Sequence, residues 1–109
     1  MAVLRVAALA DDPLDAAARF HAETLPQARS HAAGQAALAL VFPPLDHRHR
    51  GWALAAVQAL ARAHAPGRVN ALAGGDEAAI SAALAWLDGA AGVTGQLFAL
   101  DGHGAGPVV

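Results

Sequence analysis

Four short apolar runs alternate with three longer stretches of helical spacing, and every connection between them is short. This alternation constrains the fold more than any single residue does. Strands separated by helices in this way lie parallel in one sheet, with the helices packed on its faces. The clearest instance runs from Arg68 to Gly102. Residues 68–73 read as a buried strand and Gly74-Gly75 as a turn. Asp76 caps a helix over residues 77–88, whose buried stripe is Ile80, Ala83, Leu84 and Leu87. Gly89 and Gly92 end that helix, and residues 95–100 read as a second buried strand.

The preceding residues repeat the pattern. Residues 2–9 are apolar at nearly every position, which suits a strand covered on both faces. Asp12 and Pro13 open a helix as its cap and first residue. Leu14, Ala17, Ala18, His21 and Leu25 share one stripe of it. Pro26 ends or kinks this helix, and Gln27 to Ala33 continue it to a stop at Gly34. Residues 36–42 form the next strand, terminated by Pro43-Pro44. A polar loop, Asp46-His47-Arg48-His49-Arg50, leads to a helix from Gly51 to Ala65. Leu54, Val57, Ala61 and His64 lie along one side of it, and Pro66-Gly67 stops it. The expected architecture is β-α-β-α-β-α-β, a single α/β domain over residues 1–109.

Apolar residues make up 56% of the chain and charged residues only 15%. A monomer surface ordinarily carries more charge, so part of this one is expected to be covered by another subunit. A net charge of -2 offers nothing to steer the chain toward nucleic acid or an anionic membrane. The absence of cysteine excludes a disulfide framework, a thiolate nucleophile and a cysteine zinc site. No apolar run approaches the roughly 20 residues of a membrane helix. The first residues lack the basic and apolar regions of a signal peptide, so the expected location is cytoplasmic.

Arg68-Val69-Asn70-Ala71 before Gly74-Gly75, and Thr94-Gly95-Gln96 before Asp101-Gly102, resemble in order and spacing the C-terminal half of a short-chain dehydrogenase/reductase. More weakly, the resemblance covers the whole chain and matches the family's fourth to seventh strands. It implies a partial Rossmann-like three-layer sandwich with a four-stranded parallel sheet and three helices. No counterpart of the family's first three strands occurs in these residues. The Gly-rich turn that sets a pyrophosphate on a helix N-terminus is also missing. Gly102-x-Gly104-x-Gly106 has the wrong spacing and opens no helix. The family's Tyr-x-x-x-Lys pair falls on Asp46 and Arg50. An aspartate is too short and too acidic for the tyrosine's proton transfer, and an arginine is a planar fork on a different stem. The family's serine meets Pro43-Pro44, and its Pro-Gly meets Gly74-Gly75. The resemblance therefore implies no catalytic residue and no NAD(P) cofactor. The expected product is a truncated, catalytically degenerate relative, a pseudoenzyme.

What chemistry remains is concentrated in Asp46, His47, Arg48, His49 and Arg50, with Gly74 and Gly75 nearby at the C-terminal strand edge. Arg48, Arg50 and the free N–H groups of the following helix could hold a phosphate or carboxylate. His47 and His49 with Asp46 could contribute metal ligands, but no second ligand cluster is fixed by spacing, and no metal is expected. Asp101-Gly102-His103 reads as a turn after the last strand. His21, His31 and His64 read as ordinary helical histidines, and Trp52 and Trp86 as core or interface anchors.

The expected function is a non-catalytic assembly or regulatory module forming a homodimer or higher homo-oligomer. The resemblance implies that the edge of the first strand is open, and that edge is apolar and proline-free, which points to association. The resemblance adds two further contact surfaces, one through the first two helices and one through the last helix and strand. The alternatives are a protein that binds a small anionic ligand or nucleotide, and an oxidoreductase subunit completed by a full-length dehydrogenase partner.

Overall fold

The computed structural model describes residues 1–100. Its elements are β1 (Ala2–Arg5), α1 (Pro13–Arg19), a π-helical turn (Phe20–Thr24), α2 (Leu25–Ala32), β2 (Ala37–Phe42), α3 (His47–His64), β3 (Arg68–Gly74), α4 (Glu77–Asp88) and β4 (Leu97–Leu100). The four strands form one sheet in the order β1-β2-β3-β4, and every pairing is parallel. The expected partial Rossmann-like α/β architecture is therefore present, with α1, the π turn and α2 forming its first helical layer. Among the described residues, no helix is long and apolar enough to cross a membrane.

Two cores sandwich the sheet. On one face Leu4, Leu38, Leu40, Phe42, Val69 and Ala71 meet Phe20, Ala28 and Ala32 of the first helical layer and Ala53, Val57 and Leu60 of α3. On the other face Ala39, Val41, Leu72 and Leu100 meet Ala79, Ile80, Ala83 and Leu87 of α4. β2 and β3 are buried along almost their whole length, as central parallel strands covered on both faces must be.

The helix starts follow their caps. Asp12, Asp46 and Asp76 each accept a backbone N–H of the first turn, and Pro13 opens α1. Gly34 follows α2 in the left-handed region, with φ +74°.

Four expectations are corrected. β1 ends at Arg5 rather than at residue 9. Val6 adds one more bond, its N–H donating to Val41 O at 2.8 Å, but β2 stops at Pro43-Pro44 and leaves Ala7 to Leu9 without a ladder partner. β4 starts at Leu97 rather than 95, because Gly95 turns the chain at φ +72°. The buried stripe of the first helical layer is Ala16, Phe20, Ala28 and Ala32, not the stripe of Leu14 and His21; Leu14 is 80% exposed. Phe20 decides this, since its ring stacks on Phe42 at 5.6 Å and contacts Trp52 at 5.4 Å. Finally, Asp46–Arg50 is not a loop. Asp46 is the cap of α3, which begins at His47 and ends at His64.

Candidate functional site

The C-terminal ends of β1, β2 and β3 frame an open groove of about 200 Å³, lined by Arg5, Val41, Pro43, Pro44, Gly74 and Gly75 among others. This is the edge at which open α/β sheets bind ligands. Two of the predicted residues, Gly74 and Gly75, line it. Asp46 to Arg50 do not. They form the cap and first turn of α3, so the predicted site is divided between the groove and the start of that helix.

Within that turn Asp46 and Arg48 spend their charges on each other. The Asp46 carboxylate accepts the backbone N–H of Arg48 at 2.9 Å. It also accepts the Arg48 guanidinium, from Nη2 at 3.0 Å and Nε at 3.2 Å. These hydrogen bonds hold the Asp46 carboxyl below the usual carboxylate range and raise Arg48 above its ordinary value. The two histidines diverge. His47 is exposed, whereas His49 is buried and its Nδ1 accepts the Trp52 indole N–H at 3.2 Å. An indole can only donate, so this nitrogen carries no proton. Among the described residues no group of three or more His, Cys, Asp or Glu side chains is placed to hold a metal. Arg50 is half-buried and enters no ion pair among the described residues.

Gly74 and Gly75 both lie in the left-handed region, at φ +76° and +84°. A Cβ on Gly75 would come within 2.7 Å of the Leu100 Cβ. The glycine therefore lets β4 pack against the turn after β3.

One groove residue escaped the sequence reading. Arg5, at the end of β1, forms a two-pronged pair with Glu77 at the start of α4, Nη1 to Oε1 at 2.9 Å and Nη2 to Oε2 at 3.0 Å. The partners are 72 positions apart, and no local spacing rule links them.

At the opposite end of the sheet, the residues matched to the family's sequence lock together. Asn70 is buried; its Nδ2 donates to Val93 O at 2.9 Å and its Oδ1 accepts Gln96 N–H at 3.1 Å. Thr94 Oγ1 accepts Val69 N–H at 3.1 Å, and Arg68 donates to the carbonyls of Leu87 and Ala90. A family model described as short chain dehydrogenase-like protein matches residues 4–100, from within β1 to the end of β4. The chain belongs to this short-chain dehydrogenase-like family. No curated protein and no solved structure matches it significantly.

In this short-chain dehydrogenase-like chain, Asn70 and the Thr94-Gly95-Gln96 turn are structural, since their polar groups are used in binding β3 to the start of β4. Trp52 is the core tryptophan, in contact with Phe20 and Phe42, while Trp86 is 53% exposed and rests edge-on against Phe98. His21 and His31 are exposed and bond backbone carbonyls four residues back; His64 bonds Gln35 O. Asp101-Gly102-His103 and the Gly102-x-Gly104-x-Gly106 run lie outside the described residues.

Proposed function

We propose that the chain is a non-catalytic assembly or regulatory module that uses the short-chain dehydrogenase scaffold to associate with a second copy of itself. The observation that carries this reading is the edge strand β1, with Val3 37% exposed on the α4 face of the sheet, where the buried core is built on β2, β3 and β4. An edge without proline, whose one charge is already paired, is a template for another chain.

The matched active-site positions also support the absence of hydride transfer. Those of the acid and lysine carry Asp46 and Arg50, with Asp46 bound to Arg48. The groove is also small. About 200 Å³ falls below the roughly 300–1,000 Å³ of ligand pockets, and the space above Gly75 is filled by Leu100. The residues present do not fit a dinucleotide, and no reaction step is assigned to one.

Light scattering on a size-exclusion column, paired with calorimetric titration of NADH and NADPH, tests the proposal. A defined oligomer without nucleotide binding is expected; a clean monomer at micromolar concentration overturns it. One observation favours a second reading. Arg5 beside an apolar groove suits a small anion, which would have to displace Glu77. Stabilisation by a small carboxylate or phosphate in a thermal-shift screen, lost in Arg5→Gln, would establish that reading.

A further inference from the structure

β1 turns alternate backbone groups in opposite directions. Val6 donates its N–H to Val41, so Ala2 and Leu4, in phase with it, also face β2. Val3 and Arg5 therefore direct their N–H and C=O groups outward from the sheet. Strands usually guard such an edge with a long charged side chain. Here the one candidate is neutralised: the exposed Arg5 guanidinium is bound by both carboxylate oxygens of the exposed Glu77. The edge therefore carries no unpaired charge, with Val3 half-exposed and Ala2 and Val6 half-buried against the main core.

We propose that this edge pairs, antiparallel, with the same edge of a second copy, about a two-fold axis normal to the sheet at Leu4, joining the two four-stranded sheets into one of eight strands. The proposal rests on the assembly reading and assigns the surface that performs it. Register and facing agree. With Leu4 opposite the second copy's Leu4, Val3 stands opposite the second copy's Arg5. Both residues face outward, so they exchange two hydrogen bonds, and the symmetric pair exchanges two more. The same register places side chains of like faces side by side. Leu4 then meets its symmetry mate beneath the first helical layers, and Ala2 meets the second copy's Val6, so both half-buried residues gain cover. Charge selects the occupant. A charged peptide would find its counter-ion already bound to Glu77, whereas a second neutral edge leaves both Arg5–Glu77 pairs intact.

The test is amide hydrogen exchange on the intact 109-residue chain, read residue by residue, with sedimentation equilibrium on the same sample. A dimer is expected in which the Val3 and Arg5 amides are protected. Val3→Pro removes an outward N–H but no bond within the sheet, and should yield a folded monomer in which the Arg5 amide exchanges freely. Val3→Lys restores a guarding charge and should do the same if the proline variant fails to fold. A monomeric wild-type chain overturns both this proposal and the assembly reading. A dimer whose Val3 and Arg5 amides exchange at unprotected rates, or one that survives Val3→Lys, overturns the edge pairing alone.

Discussion

Asn70 shows how much of this molecule's polar chemistry is structural. Its side-chain amide answers one carbonyl and one N–H of the turn before β4, in a site where water has little access. Asn70→Ala leaves both groups unpaired and should cost about 2 kcal/mol in urea unfolding, at roughly 1 kcal/mol for each lost bond. Gly75 is constrained twice, by its positive φ and by Leu100. Gly75→Ala should lower stability by about 2 kcal/mol by the same measurement, the scale of a non-glycine residue forced into a strained conformation. Asp46 gives a pH signature. Its carboxyl titrates below the usual range in the folded chain because Arg48 hydrogen-bonds the charged form. A group lowered on folding adds stability above its unfolded value and loses it as pH falls through the folded one. Asp46→Asn keeps a capping oxygen but not the charge. Its melting temperature should therefore fall less than wild type's between neutral pH and the pH of carboxylate protonation; the difference should be small, because the pair is about half exposed.

At the scale of elements, the first helical layer teaches the most. On an α-helix, a residue at every fourth position drifts forward by about 40° per step, since a turn holds 3.6 residues. Ala16, Phe20, Ala28 and Ala32 nevertheless face the core, because the π turn at Phe20–Thr24 underwinds the helix between them. That turn lies just before Pro26, whose missing N–H and bulky ring break regular helical bonding there. Phe20 anchors the layer, so Phe20→Ala should destabilise by about 3–5 kcal/mol in thermal or chemical denaturation. This arrangement was not legible in the sequence. Spacing rules assume 3.6 residues per turn, and in an alanine-rich helix several stripes look equally apolar. By contrast, α4 was legible to the residue, because Asp76 caps it, Gly89 follows it, and one clear stripe lies between. The strands were legible in order and direction but not in extent. β1 is cut short by the prolines after β2, a limit set by its neighbour rather than by its own residues. The start of α3 was obscured by its charges. Five polar residues looked like a loop, although an aspartate cap with an arginine two positions on serves equally well to open a helix. The Arg5–Glu77 pair depends on β1 and α4 meeting across the sheet, which no local pattern encodes.

At the scale of the whole molecule, a short-chain dehydrogenase-like chain retains the framework of a dinucleotide fold. Its edge strand has no proline, and its C-terminal groove is about 200 Å³. On the function proposed above, the scaffold's surplus surface is satisfied by a second polypeptide rather than by a nucleotide. The low charge agrees, since a surface poor in charged groups is better suited to contact than to exposure. Native mass spectrometry of the 109-residue chain in excess NADH and NADPH tests that claim most directly, because one spectrum reports both stoichiometry and bound nucleotide. The account predicts an even-numbered oligomer at the mass of the bare polypeptides. A monomer, or any species carrying one dinucleotide per chain, would contradict it.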